Sequence, residues 1–217
     1  MGILTGKTMG ILKEGMPYIL FFALCTLVFA LLHWKILAAL FLILTFLTLN
    51  FFRDPERIVP DGENIVVSPA DGKIVDISRA KDPLDNSEKT KISIFMNIFN
   101  VHVTRAPVSG EIKKIKYIPG KFVNAAFDKA SQDNERNIIK IANSNGEFTI
   151  VQIAGLIARR IVCWAKESEH VEKGQKIGLI KFGSRVDLYL PSRYEIDISL
   201  GQKVYGGITV VAKRQQT

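Results

Sequence analysis

The sequence predicts a mainly β domain, of barrel or sandwich type with some α structure, behind an N-terminal hydrophobic helical hairpin. Two long apolar runs near the N-terminus predict the hairpin. Beyond them the chain consists of short β-branched runs separated by Gly, Pro and Asn, which is typical of antiparallel strands. With 217 residues the chain is long enough for one such domain and a short extra segment. We place the boundary between residues 1–52 and 53–217.

The N-terminal apolar segment is long enough to enter a membrane. Residues 18–32 carry no charge, His33-Trp34-Lys35 interrupts them, and residues 36–52 are again apolar. Fifteen helical residues reach only about 22 Å, against a hydrocarbon core of roughly 30 Å. Three arrangements therefore stay open: a hairpin through the membrane, a shallow hairpin within one leaflet, and a single tilted span. The Trp-Lys pair favours a hairpin that turns at an interface.

Charges on either side of this segment indicate its topology. Lys7 and Lys13 precede it, and Arg53 and Arg57 follow it, which favours a hairpin with both ends in the cytoplasm. A cleaved signal peptide fits poorly, because apolar sequence continues past Ala38-Ala39.

The β-rich part contains three hairpin signals and one long strand signal. Asp71-Gly72 and Asn145-Gly146 each separate two β-like runs, and residues 171–180 form a third hairpin-like run. Residues 92–105 predict one strand whose apolar face includes Ile98 and whose polar end presents His102.

Charge and cysteine content exclude several classes of protein. The net charge of +8 predicts an anionic partner. The hydrophobic N-terminus and the lack of an aromatic-basic strand motif argue against nucleic acid. Cys25 and Cys163 are far apart and outside any CxxC motif, so we predict neither a disulfide framework nor a metal site.

A Gly-Ser pair near the C-terminus is the most informative short motif. Gly183-Ser184 lies between a β-like run and the strand-like residues 186–191. Such a pair is either an ordinary turn or a self-processing site, where the serine hydroxyl attacks its own backbone. The second interpretation needs a base and a group that orients it, and His102 and Asp71 are the candidates.

Three blocks decide between these interpretations. Residues 68–72, 99–107 and 182–185 resemble the signature blocks of the phosphatidylserine decarboxylases, most closely the short bacterial and archaeal proenzymes. The resemblance extends over nearly the whole chain. Longer bacterial members carry Leu-Gly-Ser-Thr at the third block; Phe-Gly-Ser-Arg departs from that pattern but keeps the Gly-Ser pair.

The resemblance implies a self-made cofactor and no metal. Ser184 attacks the carbonyl of Gly183, with His102 as base and Asp71 holding its ring. The ester then breaks by β-elimination, and a covalent pyruvoyl group forms from Ser184. The products are a β chain of residues 1–183 and an α chain that begins at position 184. The pyruvoyl carbonyl takes the substrate amine and accepts the electrons left when carbon dioxide departs. His102 is also the nearest candidate for the proton donor that follows.

The resemblance also implies the partners and the location. The substrate is phosphatidylserine in an anionic membrane, the product is phosphatidylethanolamine, and no nucleic acid takes part. The protein is expected at the cell membrane with its catalytic domain on the cytoplasmic side, and a homo-oligomer is allowed. Two alternatives stay open. One is a membrane-tethered carrier or adaptor of the lipoyl/biotinyl type, suggested by residues 171–178, and the other is a pyruvoyl decarboxylase of a soluble amino acid.

Overall fold

The protein forms two compact units in a computed structural model, Met1–Glu56 and Arg57–Thr217. The structure describes residues 10–120, 134–155, 160–181 and 184–215.

The first unit is a helical hairpin, which confirms the predicted N-terminal architecture. Helix α1 spans Met16–Leu31 and helix α2 spans Lys35–Phe51, and the two helices pack against each other. His33 takes a positive φ of 57° in the connection. The hydroxyls of Thr26 and Thr45 donate to the carbonyl four residues earlier, which satisfies these polar groups within an apolar helix.

One of these helices is suited to a lipid environment. The helical segment Lys13–Leu31 has 19 residues and a mean hydropathy of 1.8, enough by length and composition to cross a membrane, whereas Lys35–Phe51 is shorter. Helix α1 has no buried residue, and Leu20, Phe21 and Leu31 are each more than half exposed. A helix with this much exposed apolar surface indicates membrane association.

The second unit is built from antiparallel strands, as the sequence predicted. Within the described residues they are, in chain order, β1 Ile65–Val67, β2 Gly72–Lys81, β3 Glu88–Met96, β4 Val103–Arg105, β5 Gly110–Ile118, β6 Arg136–Asn143, β7 Gly146–Ala154, β8 Ile161–Cys163, β9 His170–Val171, β10 Lys176–Ile180, β11 Ser184–Leu190, β12 Tyr194–Ile196, β13 Lys203–Val204 and β14 Val210–Arg214.

These strands form one large sheet and two small ones. The large sheet has the order β13-β2-β3-β11-β7-β6-β5-β9, and it curves as a half-barrel around a core rich in isoleucine. The small sheets have the orders β1-β14-β12 and β4-β10-β8. Ile92, Ile94, Ile139 and Ile141 contribute to the core and are fully buried, because β-branched side chains fill the pleated surface well.

One of the predicted hairpins is confirmed, and two are wrong. Strands β6 and β7 pair as a hairpin that closes at Asn143 and Gly146, where Gly146 has a φ of 115°. By contrast, β1 pairs with β14, and β2 pairs with β3 and β13, so Asp71-Gly72 does not close a hairpin. The glycine is needed for a different reason: a Cβ at Gly72 would lie 2.2 Å from the Phe95 carbonyl oxygen.

The run 171–180 turns at Gly174, which has a φ of 81°, but its two strands do not pair with each other. Strand β9 pairs with β5, whereas β10 pairs with β4 and β8. The glycine therefore predicted the turn correctly. It did not predict the partners of the two strands, because those are set by pairing with residues far away in the chain.

The predicted single strand over residues 92–105 is also wrong. Strand β3 ends at Met96, a turn follows at residues 97–100, and β4 belongs to another sheet. The Asn97 and Asn100 side-chain oxygens accept backbone N–H bonds within this turn, so they replace the partners that a ladder would supply. Ile98, predicted on the core face, is instead 46% exposed.

Candidate active site

The strand register brings Ser184 and the Asp71-Gly72 pair to one end of the large sheet. Ser184 pairs with Met96 on one side and with Ala154 on the other. Val204 pairs with Gly72, and the pair Lys73–Phe95 places Gly72 next to Met96. The Ala154 N–H donates to the Glu135 carbonyl. We call this end the Ser184 edge, and its row of residues is Val204, Gly72, Met96, Ser184, Ala154 and Glu135.

Ser184 is fully buried at the start of β11. Its backbone lies between two paired strands, β3 and β7. Its side chain points to the core side of the sheet, where Oγ donates to Met96 Sδ at 3.3 Å. A thioether is a weak acceptor, so the hydroxyl is held loosely compared with a hydroxyl bound to a carboxylate or carbonyl.

Gly183, the predicted partner in self-cleavage, lies outside the described residues, as does Phe182.

His102 lies just before β4 and is fully buried. Its Nδ1 is 2.9 Å from the Asn100 carbonyl oxygen. A carbonyl oxygen only accepts, so Nδ1 carries the hydrogen and Nε2 is the basic nitrogen of the neutral ring. The Ile180 N–H donates to the His102 carbonyl at 3.2 Å. This bond connects His102 to the segment that leads toward Ser184.

Asp71 is 5% exposed and lies beside Gly72 at the same edge. Its Oδ2 accepts from Arg57 Nη2 at 2.8 Å and its Oδ1 accepts from the Gly206 N–H at 2.7 Å. Within the described residues the structure gives no hydrogen bond between Asp71 and His102. The two segments are nevertheless neighbours, because the Arg105 N–H donates to the Pro69 carbonyl.

A buried polar chain next to this site escaped sequence reasoning. Gln152 Nε2 donates to Thr104 Oγ1 at 3.0 Å, and Asn137 Nδ2 donates to Gln152 Oε1 at 2.9 Å. These three side chains are at most 2% exposed. A Cβ at Gly178 would lie 2.7 Å from Gln152 Nε2, so glycine there leaves room for the amide. The sequence contained one signal that could have predicted this chain of side chains: Gln152 is a polar residue inside an otherwise apolar strand.

The opposite face of β11 carries a buried ion pair that sequence reasoning also missed. Arg185 Nε donates to Asp187 Oδ1 at 2.6 Å, and Nη2 donates to Oδ2 at 3.0 Å. Both side chains are 1% exposed. The bidentate geometry fixes Arg185 directly after Ser184. Burial, followed by the nearby Asp187 charge, raises the pKa of Tyr189 on the same face.

Cys163 is poorly suited to act as a nucleophile. Burial raises the pKa of the Cys163 thiol and so disfavours the thiolate. Among the described residues, no group of three or more His, Cys, Asp or Glu side chains is arranged to hold a metal ion.

Comparison with known proteins gives consistent matches along the chain. A family model described as phosphatidylserine decarboxylase matches residues 44–212. The chain is 52% identical over 206 residues to the phosphatidylserine decarboxylase proenzyme of Solidesulfovibrio magneticus, covering 94% of this chain and 96% of the relative. It is 49% identical over 208 residues to the proenzyme of that name from Nitratidesulfovibrio vulgaris, covering 95% and 96%. The proenzyme of that name from Burkholderia cenocepacia is 47% identical over 207 residues, covering 95% and 97%.

Proposed function

Because this chain belongs to the phosphatidylserine decarboxylase family, we propose that it decarboxylates phosphatidylserine to phosphatidylethanolamine with a pyruvoyl group made from its own Ser184. Family membership over nearly the whole chain is the observation that carries the proposal. Family membership favours this function over the two alternatives, a carrier or adaptor module and a decarboxylase of a soluble amino acid.

Maturation begins with an acyl shift at Gly183-Ser184. Ser184 Oγ attacks the Gly183 carbonyl carbon while His102 Nε2 accepts the hydroxyl proton. The amide C–N bond breaks, its nitrogen takes the proton, and an ester joins residues 183 and 184. The hydrogen bond from Nδ1 to the Asn100 carbonyl supports this role, because it leaves Nε2 as the basic nitrogen.

Elimination completes the cleavage. Loss of the Cα proton of residue 184 breaks the Cβ–O bond, which releases the β chain of residues 1–183 as a carboxylate. Water then hydrolyses the dehydroalanine: its nitrogen leaves as ammonia, and the oxygen of water becomes the carbonyl oxygen of a pyruvoyl group at the start of the α chain. Strand β11 is paired with β3 and β7 from Arg185 onward, and this pairing does not depend on the bond to residue 183, so the new chain end at position 184 would be held in place. This group supplies an electron-accepting carbonyl for the substrate amine.

We keep Asp71 as the residue that orients the His102 ring. In the structure its carboxylate holds Arg57 and Gly206, and the ring is held by Asn100. Orientation by Asp71 therefore requires the carboxylate to exchange Arg57 for the imidazole. After cleavage, His102 is the proposed donor of the proton that replaces carbon dioxide, because it is buried and is bonded to Ile180, four residues before Ser184.

We also propose a division of the chain into two parts and a location in the cell. Residues 1–52 are the membrane segment and residues 53–217 the catalytic domain, cleaved between residues 183 and 184. The protein acts at the cell membrane with the catalytic domain on the cytoplasmic side, as the cations flanking the apolar segment favour. Its basic surface attracts anionic headgroups at about 1 kcal/mol per residue close to the membrane.

Intact mass measured under denaturing conditions tests this function. We expect two fragments that meet at Gly183/Ser184, with the C-terminal fragment lighter by one ammonia than a peptide that starts with serine. Purified protein is then expected to release carbon dioxide from phosphatidylserine vesicles. A single uncleaved chain after long incubation with membranes would contradict the proposal.

A further inference from the structure

Two large apolar side chains lie at the tip of the turn that precedes His102. Ile98 is 46% exposed and Phe99 is 61% exposed. They occupy the two central positions of the turn at residues 97–100, where polar residues, glycine or proline are usual. We call this pair the Ile98-Phe99 tip.

Hydrogen bonds on both sides fix this turn. The Asn100 N–H donates to the Asn97 carbonyl at 3.0 Å, and the Asn97 N–H donates to Asn100 Oδ1 at 2.9 Å. The Phe99 N–H donates to Asn97 Oδ1 at 2.9 Å. The turn therefore presents its apolar pair without an ordering step at the moment of binding.

Other exposed aromatic and aliphatic side chains lie at the same edge. Tyr205 follows Val204 directly and is 52% exposed, and Ile208, in the same turn, is 37% exposed. Tyr117 is 55% exposed and precedes Ile118, which pairs with Arg136 at this end of the sheet. Tyrosine combines an apolar ring with a polar tip, which suits the boundary between water and lipid.

Charges around the Ser184 edge match an anionic surface. Lys73, Lys203 and Arg160 are exposed there, whereas the acidic residues Asp71 and Glu135 are at most 8% exposed. At the opposite end of the sheet, Asp85 and Glu147 have side chains that are 34% and 50% exposed. At the Ser184 edge, therefore, these cations are exposed to solvent while the two carboxylates are buried.

We propose that the Ser184 edge docks onto a lipid bilayer with anionic headgroups, and that the Ile98-Phe99 tip enters its interfacial region. This inference rests on the proposed function and adds a second membrane contact, separate from the N-terminal helices. Apolar side chains that insert beside cations are the usual basis of interfacial binding. The tip ends three residues before His102, so docking brings headgroups to the reactive edge while the acyl chains stay in the bilayer.

Interfacial kinetics of the matured full-length protein test the proposal. In the I98S/F99S variant, serine suits both turn positions. We expect decarboxylation of phosphatidylserine in vesicles to require about tenfold more lipid surface for half-maximal rate, since two apolar side chains lose their lipid contact. Decarboxylation of a short-chain phosphatidylserine kept below its micelle concentration is expected to stay unchanged.

Leu200 provides the matched control. Leu200 is 68% exposed, like the residues of the tip. It precedes Gly201, whose N–H donates to the Ile74 carbonyl, and Ile74 lies two residues along β2 from Gly72 of the Ser184 edge. The L200S variant is expected to keep the parent's vesicle kinetics. Equal loss by I98S/F99S on vesicles and on monomeric lipid would overturn the proposal, because the tip would then act on the site itself. Unchanged vesicle kinetics would overturn it as well, and so would sedimentation that shows the parent as an oligomer and I98S/F99S as a monomer, because the tip would then join two copies of the chain.

A second readout needs no turnover and so separates this proposal from the proposed function. The tryptophan in F99W is expected to add fluorescence to that of the parent, and brominated phosphatidylserine vesicles are expected to quench this added fluorescence. The fluorescence that the tryptophan in L200W adds is expected to stay unquenched. If the parent released no carbon dioxide from either substrate, the function would fail while quenching would still report docking. Absence of quenching in F99W would overturn docking even in an active enzyme.

Discussion

The two ends of the large sheet hold their polar groups in different ways. At the end opposite Ser184, Asp82 is fully buried and accepts from Lys89 Nζ at 2.8 Å and from Thr149 Oγ1 at 2.6 Å. Lys140 binds both Asp85 and Glu147 there. These ion pairs connect strands β3, β6 and β7 with the loop after β2.

Near Ser184 there is also one buried ion pair, between Arg57 and Asp71, but the hydroxyl of Ser184 and the imidazole of His102 have neutral acceptors. Ser184 Oγ donates to a thioether, and His102 Nδ1 donates to a backbone carbonyl. A hydroxyl bound to a weak acceptor loses little when it turns toward a new partner. The comparison indicates that one end of the sheet stabilises the fold, while the other keeps its groups available for reaction. Four predictions test this division.

Removing the nucleophile is expected to have the largest effect. S184A should remain a single chain with no detectable decarboxylase activity, because neither the ester nor the pyruvoyl group can form. Its free energy of unfolding should differ from that of uncleaved parent protein by less than about 1 kcal/mol, since only a weak hydrogen bond is lost. Denaturing gels and urea titration measure the two quantities.

Ser93 offers the control for this substitution. It is a fully buried serine of β3, paired with Asp187 of β11. S93A is expected to mature at the parent rate; failure to cleave would mean that any loss of a buried hydroxyl on these strands blocks maturation.

Removing the proposed base is expected to slow maturation strongly. H102A should cleave about 10²–10⁴-fold more slowly than the parent, the usual contribution of a general base. The cleaved fraction on denaturing gels over time measures this rate. H170A serves as the control, because the His170 side chain is 65% exposed and belongs to β9. Normal maturation of H102A would remove the role from His102.

At the opposite end, substitution is expected to affect stability and leave the chemistry intact. D82A leaves Lys89 buried without its carboxylate, which should lower the free energy of unfolding by about 3–5 kcal/mol. The protein that folds should still cleave between residues 183 and 184. Urea titration and gels check both expectations.

The matched variant D197A removes an exposed ion pair with Lys213 and should cost no more than about 1 kcal/mol. Equal destabilisation by D82A and D197A would argue against a stabilising role for the buried network.

The pH dependence of stability gives the smallest effect. Burial alone would raise the pKa of Asp85, but hydrogen bonds from Lys140 and Ser87 outweigh it and hold that pKa well below its usual range. The unfolded chain therefore binds this proton first, near pH 4. The stabilisation by Asp85 is complete above that pH and is lost as the pH falls further.

Unfolding midpoints in urea between about pH 5 and pH 2 measure this loss. D85N is expected to flatten the acid side of the profile. An unchanged slope in D85N would show that other carboxylates control the acid limit.

Local patterns predicted much of this fold. The apolar runs predicted the helical hairpin, and Asn145-Gly146 predicted the β6–β7 hairpin, because both depend on residues close in the chain. The Asp71-Gly72 prediction failed, since the same dipeptide also serves where one strand passes close to another. The prediction for residues 92–105 failed because alternation does not report the side-chain bonds of Asn97 and Asn100 that end β3.

The candidate site divides in a similar way. Ser184, His102 and Asp71 were named from their residue types and from family resemblance; the register places Ser184 and the neighbour of Asp71, Gly72, at one edge of the large sheet, and His102 is bonded to Ile180 of a small sheet. Their hydrogen-bond partners were not predicted. Arg57 binds Asp71 from 14 residues away, and Thr104, Gln152 and Asn137 come from different strands.

The sequence by itself determined the two-part organisation, the β-rich class and the residues able to perform self-cleavage, because periodicity and residue chemistry are local properties. Only the tertiary structure decided which strands are neighbours, which acceptors hold Ser184 and His102, and that Ile98 and Phe99 are exposed at the reactive edge. These features depend on pairing between residues far apart in the chain, and that pairing is set by the burial of the whole core.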